Sequence, residues 1–179
     1  MGPSGVAFNH LQEELGDDLI LHHFCDFSER NQQTSIAVVK TLLHQVLNRA
    51  NDNQIVKLRK HREKSKTTLK LATLSSILID VCSSHSTFLV LDALDEFDDR
   101  KTLYPVLKQL VQAGWHVIAT SRSLPDISDA FRSYPQIEIE AAKSDLETYI
   151  ALRLTESDFD TISGNQSILA SIVDKADGM

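Results

Sequence analysis

The fold class of this chain follows from the stretch Thr87-Phe88-Leu89-Val90-Leu91-Asp92-Ala93-Leu94-Asp95-Glu96. Its apolar run is continuous rather than alternating, which is typical of a strand buried on both faces of a parallel sheet. Three carboxylates follow that run within five residues, at Asp92, Asp95 and Glu96. Ligands of parallel sheets bind beyond the carboxyl ends of the strands. The stretch therefore predicts a central strand with an acidic site at its end.

The rest of the chain alternates between short apolar runs and amphipathic segments. Such an alternation predicts an α/β fold with a parallel sheet and helices on both of its faces. Ser144 and Glu147 have the spacing of a capping box, which predicts a helix start. The predicted helices cover 6–15, 34–50, 74–81, 103–111, 144–154 and 168–173, and the predicted strands cover 19–25, 87–92, 115–121 and 137–140.

Composition excludes several classes of protein. The 179 residues are 42% hydrophobic and 24% charged, as in a globular domain, so we expect neither disorder nor a fibrous protein. No apolar run approaches the roughly 20 residues of a membrane span, and no secretory signal is visible. The two cysteines, Cys25 and Cys82, lie in apolar surroundings and indicate buried free thiols. We therefore expect an intracellular, cytoplasmic protein without membrane contact.

The charge distribution bears on nucleic-acid binding. A formal charge of −7 argues against a nucleic-acid binder that uses its whole surface. Residues 57–70 nevertheless hold seven of the 18 basic residues. This stretch is either a basic patch for nucleic acid or anionic lipid, or a solvated helix or connector. It contains no aromatic residue to stack on bases, so we expect nucleic acid not to be a partner.

The ends of two predicted strands carry the groups for phosphate chemistry. Asp92 can hold Mg²⁺, which prefers oxygen ligands and is usually shared with phosphates. Glu96, assisted by Asp95, can orient a water molecule towards a phosphoryl group. Arg122 follows the next strand and can contact a terminal phosphate. The alternative interpretations are a helix cap or loop acid for Asp92 and a surface salt bridge for Arg122.

These motifs resemble those of a known family. Residues 88–96 resemble the extended Walker B motif of NACHT-type signal-transduction NTPases, and residues 117–122 resemble their sensor-1 strand. Residues 21–28 are similar to the strand and loop after the first helix in the fungal branch. That branch is similar to the nephrocystin-3-like N-terminal domain, which often precedes ankyrin, WD or TPR repeats. Residues 172–179 are similar to the segment leading into the helical and winged-helix region.

The resemblance implies a function and a set of site residues. The fold would be that of a P-loop NTPase of the STAND class in an intracellular, NLR-like signalling protein, binding ATP or GTP with Mg²⁺. Asp92 would then serve the metal, Asp95 and Glu96 catalysis, and Ser121 and Arg122 the nucleotide. Self-association is the further partner that the resemblance suggests. The nucleotide-binding core would cover 1–155, and 156–179 would begin the following region.

One departure from the family pattern concerns the phosphate-binding loop. The motif GxxxxGK[ST] is absent, because none of the glycines at 2, 5, 16, 114, 164 and 178 precedes Lys-Ser or Lys-Thr. Residues 6–15 resemble the helix that normally follows this loop. We therefore expect a chain that begins after the loop and lacks the first strand, which in the family lies between the sensor-1 strand and 137–140. Catalysis by this chain stays open, and the alternative is a non-catalytic interaction remnant or a truncated gene model.

Overall fold

The computed structural model describes residues 3–15, 18–26, 33–49, 52–64, 70–139, 143–156 and 171. The chain divides into two compact units, Met1–Phe131 and Arg132–Met179, which are described separately. Among the described residues, no helix is both long and apolar enough to cross a lipid bilayer.

A parallel three-stranded sheet forms the centre of the first unit. Its strands β1 (Leu19–Phe24), β2 (Thr87–Asp92) and β3 (His116–Ala119) lie in the order β1-β2-β3. Phe24 of β1 is in register with Asp92, and Leu91 is in register with Ala119. The carboxyl ends of the three strands therefore lie at one edge of the sheet, and the predicted α/β parallel-sheet class is confirmed.

The strands are joined by helices whose apolar spacing predicted most of them. Residues 57–64 of the basic stretch 57–70, for which the sequence left several interpretations open, lie in a helix that begins at Asp52. The helix after β3 was not predicted, since only seven residues form it. The helices of this unit are α1 (Pro3–Glu14), α2 (Ser35–Asn48), α3 (Asp52–Lys64), α4 (Leu71–Cys82), α5 (Arg100–Gln112) and α6 (Pro125–Phe131).

The main hydrophobic core lies between one face of the sheet and helices α2, α4 and α5. Leu21, Leu89 and Leu91 of the sheet are fully buried there. Because side chains alternate along a strand, every second residue of β1 and β2 points into this core. Val39 and Leu78 supply the helical side of the same core and are also fully buried.

The opposite face of the sheet is covered less completely. Helix α1 packs there, and the ring of Phe8 meets that of His22 edge-on at 4.6 Å. Further along this face, Phe88 stacks on the exposed His116 at 4.6 Å, and Ile118 is 39% exposed. Helices therefore lie on both faces, as predicted, but unequally.

The two edges of the sheet differ. At the β1 edge, the side chain of Gln45 takes the place of a neighbouring strand, because its Oε1 accepts the N–H of His22 at 3.0 Å and its Nε2 donates to the carbonyl of His22 at 2.7 Å. At the β3 edge, no strand of the described residues pairs with the outer side, and Ile118 and Ala119 are exposed. One edge is thus capped by a side chain, and the other has no partner strand in the part of the chain that the structure describes.

Strand β3 is shorter than the predicted 115–121. Gly114 adopts a positive φ of 89°, which ends the connection from α5. Trp115 is buried, and its N–H donates to the carbonyl of Leu110 rather than to the sheet. At the other end, Thr120 lies just beyond the last residue of β3, although its N–H still donates to the carbonyl of Leu91 in β2.

In the second unit, helix α7 (Lys143–Glu156) confirms the helix predicted from the capping-box spacing. The strand predicted at 137–140 is wrong for 137–139, which form no strand, and residue 140 lies outside the described residues. Ile137 and Ile139 are 85% and 72% exposed. Alternating isoleucines alone do not make a strand, because the backbone N–H and C=O groups of a strand must pair with those of a neighbouring strand. The helix predicted at 168–173 lies outside the described residues except for residue 171, which is helical.

Candidate functional site

The candidate site begins where β2 and β3 end side by side. Thr120 follows β3, and its N–H donates to the carbonyl of Leu91 at 2.9 Å. The side chain of Thr120 donates from Oγ1 to Oδ1 of Asp92 at 2.6 Å. The first of the predicted site carboxylates is therefore fixed against the neighbouring strand end.

The chain leaves β2 through a strained turn. Ala93 adopts the left-handed conformation, with φ 54° and ψ 48°, which costs a residue with a Cβ about 1–2 kcal/mol. A short 3₁₀ helix, Leu94–Glu96, follows directly. Leu94 and Phe97 are fully buried and anchor this helix to the core. The turn therefore holds Asp95 and Glu96 at the carboxyl edge of the sheet.

Arg122 joins the acidic turn from the β3 side. Its Nε lies 2.9 Å from Oδ2 of Asp95, and its Nη2 lies 3.3 Å from Oε1 of Glu96. Its backbone N–H also donates to Oδ1 of Asp95 at 3.0 Å. The structure thus brings Asp92, Asp95, Glu96 and Arg122 to one place. Ser121, between Thr120 and Arg122, is exposed.

The exposure of these side chains is uneven. The side chain of Arg122 is 78% exposed, whereas those of Asp95 and Glu96 are 9% and 29% exposed. The arginine side of these ion pairs is therefore open to solvent, whereas Asp95 is nearly buried.

The residues fit a magnesium ion only if phosphate oxygens complete its coordination. In the part of the chain that the structure describes, no group of three or more His, Cys, Asp or Glu side chains is arranged to hold a metal. Asp92 shares one oxygen with Thr120, and Asp95 and Glu96 are paired with Arg122. Magnesium in phosphate-binding sites is commonly held by one or two carboxylates and by the phosphates themselves. The arrangement suits that kind of ion and not a site made of protein ligands alone.

Cys25 lies beside the site but is not suited to act as a nucleophile. It follows β1, and its N–H donates to the carbonyl of Asp92 at 3.0 Å. Burial, and then the charges of Asp92, Asp95 and Glu96, raise the pKa of its thiol to about 12. Since the thiolate is the reactive form, this thiol is inert at neutral pH. Both cysteines are buried free thiols, as predicted.

Two contacts of this region were missed in the sequence. The sequence pattern places Thr120 in a strand and gives it no other role. The signal for its contact is that Thr120 and Asp92 stand at the ends of two neighbouring strands, where a hydroxyl and a carboxylate can form a hydrogen bond. Oδ2 of Asp99 accepts the N–H of Ser35 at 2.8 Å, and Oγ of Ser35 donates to the carbonyl of Asp99 at 3.1 Å. This pair joins the start of α2 to the start of α5 across 64 residues of sequence, which no local pattern reveals.

Comparison with known proteins identifies the family. The model of the family described as nephrocystin 3, N-terminal, matches residues 4–122 of this chain. The chain belongs to the nephrocystin 3 N-terminal family. The match begins in α1 and ends at Arg122, so the nephrocystin 3 N-terminal region contains every predicted site residue. No curated protein and no solved structure matched the chain.

Proposed function

We propose that this chain is part of a nucleoside-triphosphate-binding module of the NACHT type, within an intracellular signalling protein. The observation that carries the proposal is the meeting of Arg122 with Asp95 and Glu96 beside Asp92, at the carboxyl edge of a parallel sheet. Phosphate ligands of such sheets bind at this edge. Membership of the nephrocystin 3 N-terminal family supports the same choice.

Each side chain has a role in this proposal that matches its surroundings. Asp92 would contribute one carboxylate oxygen to a magnesium ion shared with the phosphates of ATP or GTP. The ion, when bound, would neutralise charge on the phosphate oxygens. Asp95 and Glu96 would orient a water molecule for hydrolysis, and Arg122, together with the hydroxyl of Ser121, would contact phosphate oxygens.

Contact with phosphate requires Arg122 to leave its present partners. The ion pair is open to solvent on the arginine side, so its rupture costs less than that of a fully buried pair. A phosphate offers the guanidinium the same bidentate geometry as a carboxylate. Release of Arg122 would also return Asp95 and Glu96 to solvent, where they can hold a water molecule.

The open edge of β3 has a place in the same proposal. The sequence holds no GxxxxGK[ST] stretch, so a phosphate-binding loop would come from outside these 179 residues. A parallel strand that carries such a loop can pair with β3, whose outer side is open among the described residues. Self-association is a second proposal of the same kind, because an open edge also pairs with other chains.

Titration of the chain with ATP and GTP in the presence of Mg²⁺ tests the proposal. Because the sequence holds no phosphate-binding loop motif, we expect weak but saturable binding, which weakens further in Asp92→Asn and in Arg122→Ala. Asp129→Asn and Arg59→Ala are the matched controls, since both residues are exposed on helices α6 and α3. An equal loss of nucleotide affinity in the control variants, or no saturable binding by the unaltered chain, would overturn the proposal. Either result would favour a non-catalytic interaction segment.

A further inference from the structure

We infer that Thr120 is the positioning residue of this site, which sets the direction of the Asp92 carboxylate and the path of the acidic turn. The inference deepens the proposed function, because it assigns a residue that orients the metal-side carboxylate. The observation behind it is that the hydroxyl of Thr120 makes two hydrogen bonds. Oγ1 of Thr120 lies 3.1 Å from the backbone nitrogen of Ala93 and 2.6 Å from Oδ1 of Asp92.

The direction of these two hydrogen bonds follows from chemistry. The N–H of Ala93 can only donate, so the hydroxyl oxygen accepts there. The single hydroxyl proton is then left for Asp92. A separation of about 2.5–2.7 Å is usual for a hydroxyl that donates to an ionised carboxylate, and the contact to Asp92 falls within that range. Thr120 thus donates its hydroxyl proton to Asp92 and accepts the N–H of Ala93.

This contact also decides which oxygen of Asp92 is presented to a ligand. Oδ1 is taken by Thr120, and within the described residues Oδ2 makes no hydrogen bond. With one oxygen fixed, rotation of the carboxylate is restricted. A cation or water molecule would therefore meet Oδ2 in a set orientation, as is usual where a neighbouring residue orients a metal ligand.

The backbone of Thr120 completes the arrangement. Its carbonyl accepts the N–H of Leu94 at 2.9 Å, so Thr120 holds two consecutive N–H groups of the turn, those of Ala93 and Leu94. Ala93 is the residue with the left-handed backbone. A strained residue persists when its surroundings fix it, and here one residue of the neighbouring strand end does so. The side chain of Thr120 accepts the hydrogen bond from Ala93, and its backbone carbonyl accepts the one from Leu94.

That division allows a sharp test by hydrogen exchange. Thr120→Val keeps the shape of the side chain and removes the hydroxyl, whereas Thr120→Ser keeps the hydroxyl. We expect Thr120→Val to speed exchange of the Ala93 amide by about tenfold or more relative to the Leu94 amide, whose acceptor remains. Thr120→Ser should restore slow exchange, and Thr73→Val, at an exposed position of α4, should change neither amide. Unchanged exchange at Ala93, or failure of serine to restore it, would overturn the inference.

A measurement on the unaltered chain covers the case in which Thr120→Val does not fold. A hydroxyl proton that Thr120 donates to Asp92 should exchange slowly enough to give its own NMR signal, with a cross-peak to the Ala93 amide proton. Free rotation of the hydroxyl, shown by fast exchange of that proton with water and no such cross-peak, would overturn the inference.

Nucleotide titration separates this inference from the proposed function. If the unaltered chain binds ATP with Mg²⁺, Thr120→Val should weaken that binding by about tenfold, while Thr120→Ser should not. Equal binding by Thr120→Val would show that Thr120 does not position the metal-side carboxylate. If the unaltered chain does not bind, the proposed function fails, and the exchange of the Ala93 amide still decides whether Thr120 positions the turn.

Discussion

Nε of Arg122 lies 2.9 Å from Oδ2 of Asp95, so a residue that follows β3 neutralises an acid that follows β2. The acid is nearly buried, whereas most of the arginine is exposed to solvent. The backbone N–H of Arg122 donates to the other oxygen of the same carboxylate. Asp95 therefore contacts both the guanidinium and the backbone N–H of Arg122. Only the contact with the guanidinium has to break for Arg122 to contact a phosphate.

Removal of the guanidinium should affect binding more than stability. We expect Arg122→Ala to lower the free energy of unfolding by only about 1 kcal/mol, because the arginine side of the ion pair is open to solvent and the backbone contact to Asp95 remains. Urea unfolding of Arg122→Ala beside Arg59→Ala measures this. A loss of several kcal/mol would show that Arg122 is needed chiefly to compensate a buried charge at Asp95.

A second ion pair ties α5 to α6 and should give a pH-dependent contribution to stability. Nε of Arg100 lies 2.9 Å from Oδ2 of Asp126, and the hydroxyl of Tyr104 donates to the same oxygen at 3.0 Å. The hydrogen bond from Arg100 holds the pKa of Asp126 below its usual value. The folded state therefore favours the charged form of Asp126, and this contribution is lost as the pH falls through the lowered pKa.

Asp126→Asn isolates that contribution. It should lower the free energy of unfolding at neutral pH, and its difference from the unaltered chain should shrink in acid, where Asp126 becomes protonated. Urea unfolding between neutral pH and the acid range measures the difference. Asp129→Asn, at an exposed position of the same helix, is the matched control for loss of a carboxylate, and a constant difference for Asp126→Asn would contradict the expected role.

The fold and the site differ in how much of them the sequence predicts. Mostly apolar runs predict β1 and β2 well, because the first three residues of β1 and most residues of β2 are buried. The grouping of Arg122 with Asp95 and Glu96 follows from two neighbouring strand ends and was likewise expected. The strand at 137–140 failed because pairing depends on a neighbour that the local pattern does not contain.

The contacts of Thr120 and Gln45 show what sequence patterns leave out. Each joins residues more than 20 positions apart and depends on the register of two elements. Periodicity gives the face on which a residue lies but not the atom that it meets. In the sequence, Gln45 is an ordinary polar residue of α2. Only the packing of α2 beside β1 brings its side-chain amide to the backbone of His22 at the edge of the sheet.

Burial on α2 allows a matched pair of core substitutions. Leu42 is 2% exposed, whereas Leu47 is 47% exposed on the same helix. We expect Leu42→Ala to lower the free energy of unfolding by about 2–5 kcal/mol, because it leaves a cavity between α2 and the sheet. Leu47→Ala should change it by no more than about 0.5 kcal/mol. Urea unfolding compares the two, and similar losses would show that α2 does not pack as described.

Both buried thiols should resist modification in the folded chain. Burial raises the pKa of Cys25 and of Cys82 to about 12, so neither is a thiolate at neutral pH. We expect slow reaction with a thiol reagent that becomes fast in urea. Since both folded-state pKa values are raised, unfolding becomes easier as the pH rises through the alkaline range towards these values. Rapid reaction of either thiol without denaturant would contradict its burial.

The cap at the β1 edge should be needed to keep that edge from pairing. Gln45→Leu removes the acceptor and the donor that meet the backbone of His22. We expect it to lower the free energy of unfolding by about 1–3 kcal/mol, because the backbone groups lose their partners. We also expect association that grows with concentration, because an exposed strand edge pairs with other chains. Sedimentation velocity of Gln45→Leu beside Gln109→Leu, an exposed position of α5, measures this. If both variants stay in the state of the unaltered chain, Gln45 contributes to stability alone.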